Sequence, residues 1–275
     1  AWLAERSSLV ETGGVGKGGR SSSPTRELPA LFGLGGLAQT RAAAPLLRDV
    51  WLPGIEVMAA RDVEGSAAGL YLAVKGGHNA ESHNHNDIGH FVVYRDGLPL
   101  IIDAGVETYT RKTFSPQRYE IWTMQSAYHS LPTIDGVQQA PGREYRAREV
   151  RREANEFEAG LTLDLAGAYP PEAGVRRWVR GVSLLRGHEV RLSDRFELER
   201  EATSLTLSLM TPCSVDLSLP GHVALGARAL AGGRNAGTGS VQYDSRQFDV
   251  RVETVGINDA RMRPVWGSEI YRIVF

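Results

Sequence analysis

From about residue 50 to the end of the chain, short runs of apolar residues alternate with polar positions, and turn-forming residues separate the runs. Alternation with a period of two is typical of β-strands that bury one face. Two Asp-Gly pairs, Asp96-Gly97 and Asp135-Gly136, favour tight hairpin turns between consecutive strands. The runs that predict strands lie in residues 69–76, 90–103, 131–139, 156–167, 176–199, 203–211, 241–255 and 269–275.

The spacing of these runs predicts an all-β fold. Short strands recur without long helical patterns between them, which indicates an antiparallel β-sandwich. The start of the chain is different, because residues 11–27 are rich in Gly and Ser and residues 27–47 have weak helical character interrupted by glycines. We therefore predict a β-sandwich domain over residues 50–275. We interpret residues 1–49 as a linker or the remnant of a preceding helical domain.

The composition excludes several classes of protein. The 275 residues carry a net charge of −1, so no overall basic field would attract nucleic acid. No apolar run approaches the roughly 20 residues of a membrane span. The single cysteine, Cys213, excludes an internal disulfide framework and a cysteine-based zinc finger. The cysteine content leaves both cytoplasm and periplasm open. The chain begins with Ala-Trp, and we expect it to be a fragment or a processed product from which an export signal is missing.

The segment GGHNAESHNHNDIGHF holds four of the seven histidines in the chain. In an extended strand, His83, His85 and Asp87 would share one face, and two imidazoles on one face form half of a zinc site. We expect the missing ligands to come from neighbouring strands. Asp103 ends the apolar run LPLIID, and His129 precedes the next predicted strand, so both are candidates.

Two known signatures match this segment in part. The cupin signature shares the His-x-His core, but His90 stands where that signature has glutamate, and its second element is absent. The metallo-β-lactamase signature H-x-H-x-D-H fits up to its last position, where Ile88 replaces the histidine. We expect His78 and His90 to be surface or hydrogen-bonded structural residues.

A third pattern covers far more of the chain, from about residue 70 to residue 200. The series SHNHNDIGHFVVYRDGLPLIIDAGVETY, followed by QRYEIWTMQSAYHSLPTIDG, resembles the β-sandwich domain of the heparinase II/III-like polysaccharide lyases, which are relatives of certain alginate lyases. The resemblance implies a sandwich of the super-sandwich type. It also implies that His83 takes part in catalysis, while His85, Asp103 and His129 bind a structural zinc ion.

The resemblance implies an enzyme that cleaves acidic, uronic-acid polysaccharides by β-elimination. Tyr119 is the leading candidate for an accessory catalytic tyrosine, and Tyr109 is the second. Arg118 is a candidate for binding a uronate or sulfate group, and Trp122 for stacking on a sugar ring. In this family further catalytic residues come from an N-terminal α/α-toroid domain, so we expect the chain to be inactive without one. The resemblance also implies a periplasmic or secreted protein.

Two other functions stay open. A non-catalytic, zinc-stabilised carbohydrate-binding sandwich would retain glycans without cleaving them. A cupin-like metalloenzyme would use iron or manganese and would consume oxygen. Metal analysis and the detection of cleaved glycan separate these functions from that of a lyase.

Overall fold

The computed structural model of the protein describes residues 46–275. The interpretation of residues 1–49 therefore falls outside the described residues, apart from its last four positions. Within residues 46–275 strands dominate, and the single α-helix, α1, spans only Arg263–Trp266. No helix in this part of the chain is long and apolar enough to cross a membrane. The predicted all-β fold is confirmed.

The first sheet is antiparallel and has five strands in the order β1-β2-β3-β5-β6. Its strands alternate between buried and partly exposed positions, as the sequence pattern predicts. Asp96 and Gly97 have φ values of 51° and 76°, so the β5–β6 hairpin turns through two left-handed residues, as Asp-Gly favours. The strands are β1 Asp49–Leu52, β2 Val57–Arg61, β3 Leu70–Lys75, β5 Phe91–Arg95 and β6 Leu98–Ile101.

The second sheet is antiparallel and has the order β12-β11-β10-β9. Its inner face and the first sheet share one hydrophobic core, in which Leu161 and Leu184 join Met58 and Leu72. A short pair, β4 with β8, contains the start of the histidine-rich segment. The strands are β4 His78–Asn79, β8 Gly142–Arg146, β9 Arg148–Ala154, β10 Glu158–Asp164, β11 Val175–Leu185 and β12 Glu189–Leu198.

Two further antiparallel sheets complete the described part of the chain. The third sheet has the order β17-β18-β13-β7, and the fourth has the order β14-β15-β16. The third sheet contributes Met210 and Ile270 to a second, smaller core that also contains Ile102 and Met262. The strands are β7 Pro132–Ile134, β13 Leu205–Thr211, β14 Ser214–Asp216, β15 His222–Gly226, β16 Gly239–Gln242, β17 Arg251–Gly256 and β18 Glu269–Val274.

The connection from β6 to β7 is long and contains four short 3₁₀ turns. It carries six of the residues to which the sequence assigns chemistry, and it ends at the third sheet, beside the histidine-rich segment. Ile102 N donates to Met210 O (2.9 Å), so the start of the connection is fixed to β13. The turns are Lys112–Phe114, Pro116–Glu120, Trp122–Met124 and Ser126–Tyr128; three others are Ala166–Ala168, Pro171–Ala173 and Ala231–Gly233.

Candidate functional site

The histidine-rich segment forms a loop between β4 and β5 instead of an extended strand. His83 has a left-handed backbone, with φ at 60°, and its side chain is exposed, whereas His85 and Asp87 are buried. The expectation that all three share one face is therefore wrong, because side chains two apart point the same way only along an extended backbone. The turn separates an exposed imidazole from a buried one two residues later.

A buried glutamine holds this loop in place. The side chain of Gln139 accepts a hydrogen bond from Ile88 N (3.0 Å) and donates one to Ile88 O (2.7 Å). Its backbone carbonyl accepts a hydrogen bond from Asn86 Nδ2 (3.1 Å). Gly89, with φ at 84°, lies at the end of the loop. A Cβ atom at this position would lie only 2.5 Å from a methyl group of Leu165, so there is no room for a side chain. These bonds satisfy backbone groups that a buried loop would otherwise leave unpaired.

A fully buried arginine fastens the loop from the other side. Arg180 on β11 donates from Nη1 to the carbonyl oxygens of Gly89 (3.1 Å) and Ser130 (2.5 Å). Its Nε and Nη2 donate to the carboxylate of Asp194 on β12, at 2.8 and 2.6 Å. Since Gly89 precedes His90 and Ser130 follows His129, one guanidinium group joins the two segments that supply the buried histidines.

The three predicted metal ligands converge in the structure. His85 Nδ1 lies 3.3 Å from His129 Nε2, and Asp103 Oδ2 lies 3.5 Å from His129 Nε2 and 3.9 Å from His85 Nδ1. Ligand atoms about 2.0–2.2 Å from a tetrahedral zinc ion are separated by about 3.3–3.6 Å. Two of the three separations fit this range and the third is slightly wider, so the group fits a small tetrahedral cation.

The hydrogen bonds of His129 leave the correct nitrogen free for a metal. Its Nδ1 lies 2.8 Å from the carbonyl oxygen of Gln125 and donates to it, so Nε2 is the nitrogen with an available lone pair. This Nε2 is the atom that faces His85 and Asp103. A carbonyl acceptor on the outer nitrogen is the usual way in which a metal-binding histidine is oriented.

Charges within the group are strongly coupled. Burial alone would raise the pKa of Asp103, but the hydrogen bond and charge of His129, together with His90 and His85, hold that pKa well below its usual range. Burial alone would lower the pKa of His129, but the hydrogen bond and the charge of the Asp103 carboxylate have the larger effect, so this pKa is raised. Burial lowers the pKa of His85. The carboxylate is therefore ionised and available to a cation at neutral pH.

Two neighbours of the group have other partners. Asp87 lies within the same cluster of possible ligands, but its carboxylate forms an ion pair with Lys75. His90 accepts a hydrogen bond from Ser130 N at Nδ1 (2.9 Å), and burial lowers its pKa to about 3. The neutral ring must then carry its hydrogen on Nε2, which lies 3.9 Å from Asp103 Oδ2. His90 is thus buried and hydrogen-bonded through Nδ1, and its structural role remains a prediction.

The exposed His83 pairs with a predicted tyrosine. Tyr109 Oη lies 3.2 Å from His83 Nδ1, and the two rings are stacked with centroids 6.0 Å apart and planes 7° apart. Tyr109 also contacts Phe114, edge to face, with centroids 5.6 Å apart. The structure therefore places two of the three predicted catalytic residues side by side.

The other predicted site residues lie on the same connection. Tyr119 Oη is 3.4 Å from Asn84 Nδ2, next to His83 in sequence. Arg118 donates from Nε and Nη2 to Asn84 O (3.1 and 2.8 Å) and from Nη1 to Thr113 O (2.9 Å), so backbone carbonyls occupy its guanidinium group.

The ring of Trp122 is half-buried. It contacts Tyr128, with centroids 5.1 Å apart, and its Nε1 donates to Glu107 Oε1 (2.8 Å). Trp122 also packs against the smaller core. The substrate-binding roles of Trp122 and Arg118 remain predictions.

Sequence reasoning missed three residues next to the site. Lys75 neutralises Asp87 from β3, Arg180 fastens both histidine segments, and Arg261 lies over the ring of Tyr109 with 5.3 Å from Cζ to the ring centroid. Local pattern gave no signal for Arg261, which follows β17 in an irregular segment. The one signal for Arg180 is a charged residue at an inward position of the strand VRRWVRGVSLL.

Comparisons with known proteins show where this fold occurs. The heparan sulfate lyase HepC from Pedobacter heparinus has a solved structure with a TM-score of 0.65 and 18% identity, covering 91% of this chain and 37% of that one. A heparinase III structure has a TM-score of 0.63 and 16% identity, covering 90% of this chain and 37% of that one. The likeness shows the fold, and this chain spans little more than a third of either protein. No curated protein matches the chain.

The sequence profile of the family described as heparinase II/III-like, C-terminal, matches residues 54–259. This match covers most of the chain and includes the histidine-rich segment, Asp103 and His129. The cupin-like alternative is not supported, because the matching family and the matching folds are both heparinase-like. The chain therefore belongs to the heparinase II/III-like family and carries its C-terminal domain.

Proposed function

We propose that this chain is the metal-bearing domain of a polysaccharide lyase that cleaves uronic-acid polymers by β-elimination. The observation that carries the proposal is the exposed His83–Tyr109 pair, with 3.2 Å between Nδ1 and the hydroxyl. His83 stands two residues before His85, which belongs to the buried group of His85, Asp103 and His129. An imidazole and a phenol in hydrogen-bond contact on an accessible loop can exchange protons with a bound sugar.

β-Elimination moves two protons and breaks one bond. A base removes the proton from C5, next to the uronate carboxylate, and the electron pair left at C5 forms the C4=C5 double bond. The C4–O bond breaks, and the departing glycosidic oxygen takes up a proton from an acid. The base must lie within about 2.6–3.2 Å of the proton that it removes. The reaction is redox-neutral and consumes no water.

The residues of this chain supply suitable groups. Imidazole accepts protons near neutral pH, so we assign His83 a role in proton transfer at C5. Tyr109 is its hydrogen-bond partner and is assigned proton transfer to or from the glycosidic oxygen. Tyr119, which contacts the neighbouring Asn84, is assigned an accessory role. The contact with His83 favours Tyr109 over Tyr119 as the principal tyrosine of this domain.

We further propose that His85, Asp103 and His129 bind zinc. Two imidazole nitrogens and one carboxylate oxygen form a typical zinc donor set. A bound zinc ion would cross-link the histidine-rich loop to the segments that carry Asp103 and His129. Because elimination requires no activated water, we assign this ion a structural role that fixes the backbone next to His83.

The remaining parts of the enzyme are assigned to a larger protein. The chain spans little more than a third of the solved structures that it matches, which supports an N-terminal α/α-toroid domain that supplies further catalytic residues. The proposed substrate is an acidic polysaccharide. An enzyme acting on such a polymer would be periplasmic or secreted.

Incubation of the full-length protein with heparan sulfate, hyaluronan and alginate, each in turn, tests the proposal. A lyase generates products with ultraviolet absorbance, because the new C4=C5 double bond is conjugated with the carboxylate. Retention of one of these polymers without product would instead support a carbohydrate-binding domain. If the protein neither bound nor cleaved any of the three polymers, the proposed substrate class would be refuted.

The metal assignment predicts a specific loss. The full-length protein should purify with about one zinc ion per chain, and Asp103→Asn and His129→Gln should each reduce the zinc content to background. The melting temperature should fall by several degrees, because a ligand that binds only the folded state stabilises it. Elemental analysis and thermal unfolding measure both effects.

The matched control is His188→Gln, since His188 is exposed in the β11–β12 turn. It should keep the wild-type zinc content. Added Zn²⁺ should restore a chelator-treated wild type, whereas Mg²⁺, which prefers oxygen ligands, should not. Full zinc in both ligand variants would contradict the assignment.

A further inference from the structure

The segment after β17 places the guanidinium group of Arg261 next to the exposed His83–Tyr109 pair. Asp259 holds this segment in place: its Oδ2 accepts a hydrogen bond from Thr108 N (2.9 Å), and its Oδ1 accepts hydrogen bonds from Arg261 N (2.8 Å) and Met262 N (3.1 Å). Met262 is buried in the smaller core. These contacts join residues 259–262 to the residue just before Tyr109, although the two segments are about 150 residues apart in sequence.

The guanidinium group of Arg261 lies over the Tyr109 ring, with 5.3 Å from Cζ to the centroid. A guanidinium group within about 6 Å of a ring centroid is attracted to the face of the ring, which fixes its position. The residue is exposed, and none of the ion pairs within residues 46–275 involves its guanidinium group. The carboxylate of Asp259 is already engaged by three backbone amides. Arg261 therefore offers its hydrogen-bond donors to a ligand.

Two other cations on this side of the site, Lys112 and Arg118, are engaged. Lys112 forms an ion pair with Glu120 (2.9 Å). Arg118 donates to the carbonyl oxygens of Asn84 and Thr113. By contrast, the planar fork of Arg261 lies over the ring of Tyr109, whose hydroxyl group is hydrogen-bonded to His83. A planar guanidinium group matches a carboxylate through two parallel hydrogen bonds.

We propose that Arg261 binds the carboxylate of the uronic acid from which the C5 proton is removed. This inference rests on the proposed function and adds a substrate-binding residue from a distant part of the chain. Neutralising the carboxylate makes the adjacent C5 proton more acidic, because the negative charge that develops on proton removal spreads onto that carboxylate. The sequence suggested the same role for Arg118, whose guanidinium group donates to the carbonyl oxygens of Asn84 and Thr113 in the structure.

The test measures oligosaccharide binding in the full-length protein that carries His83→Asn, so that turnover does not interfere. The probe is an oligosaccharide of whichever polymer the wild type cleaves among heparan sulfate, hyaluronan and alginate. A second probe is the same oligosaccharide with its carboxyl groups reduced to alcohols. Arg261→Gln should weaken binding of the native probe about 10-fold or more, which is typical of a lost hydrogen bond to a charged group. It should leave binding of the reduced probe within twofold.

Control variants separate charge from folding. Arg261→Lys keeps the charge but loses the planar fork, so its affinity for the native probe should lie between those of Arg261→Gln and the parent. Arg263→Gln, at an exposed arginine two residues away, should bind both probes as the parent does. Arg261→Met keeps the aliphatic stem over Tyr109 and provides a second measurement if Arg261→Gln is poorly folded. Equal weakening for both probes, or no weakening for the native one, would overturn the inference. Failure of the wild type to bind or cleave any of the three polymers would instead refute the proposed function.

Discussion

Replacing Arg180 by methionine is expected to lower the free energy of unfolding by about 3–5 kcal/mol, which is the usual cost of breaking a buried ion pair by removing one partner. The Arg180 side chain is fully buried, and that of Asp194 is 16% exposed. The substitution leaves the Asp194 carboxylate without its cation. It also leaves the carbonyl oxygens of Gly89 and Ser130 without their donor. Urea unfolding measures the loss.

The same sheet provides a matched control. Arg191 on β12 also pairs with a carboxylate, that of Glu189 (2.6 Å), but both side chains are more than half exposed. Arg191→Met should therefore cost at most about 1 kcal/mol, as exposed ion pairs do. A loss as small as this for Arg180→Met would contradict the role assigned to the buried pair.

A double substitution distinguishes the ion pair from the carbonyl contacts. Replacing a buried ion pair by apolar residues of similar size is often close to neutral. Arg180→Met combined with Asp194→Leu should nevertheless recover only part of the stability, because no donor then reaches Gly89 O and Ser130 O. If the two carbonyl contacts hold the histidine segments together, the double variant should also bind zinc more weakly than the wild type.

The strands of this fold follow from its sequence because their signals are local. Alternating apolar residues and the pairs Asp96-Gly97 and Asp135-Gly136 each act within a few residues, and Asp135 and Gly136 adopt φ values of 50° and 78°. The convergence of the buried group was also predictable. Asp103 lies just after a strand, and His129 just before the next, so neighbouring strands could be expected to bring them together.

Other features could not be predicted because they depend on contacts between distant segments. The backbone of the histidine-rich loop is set by Gln139 and Arg180, which lie about 50 and 90 residues away from it in sequence. The left-handed conformation of His83 has no local cause in the sequence. Because of it, and contrary to the prediction, the side chain of His83 does not share a face with those of His85 and Asp87. Arg261 likewise lies over Tyr109 in a distant segment, which the hydrogen bond from Thr108 N to Asp259 joins to the residue before Tyr109.

These distant contacts share one physical feature. They fix backbone groups of irregular segments through side chains that are distant in sequence, as Arg180 does from β11. Ordering a loop costs conformational entropy, and a loop without strand partners makes too few contacts of its own to offset that cost. Its geometry must therefore be stabilised by the surrounding fold. The sandwich therefore stabilises the strained, left-handed backbone conformation of the exposed His83.

Replacing His83 by asparagine is expected to lower kcat of the full-length protein by about 10²- to 10⁴-fold, which is the usual contribution of a group that transfers a proton in the transition state. Asparagine is chosen because it tolerates left-handed φ values better than most residues, and His83 has φ at 60°. The backbone of the loop should therefore persist while the imidazole is lost. Initial rates of double-bond formation, followed by ultraviolet absorbance, measure the change.

Zinc content and melting temperature distinguish a chemical role from a structural one. His83 is exposed and lies outside the buried group of His85, Asp103 and His129, so both quantities should stay at their wild-type values in His83→Asn. His188→Asn, which changes another exposed histidine, should retain wild-type activity. If His83→Asn kept wild-type kcat, or lost activity together with its zinc, proton transfer by this imidazole would be refuted, and the chemistry would have to be assigned elsewhere in the full-length protein.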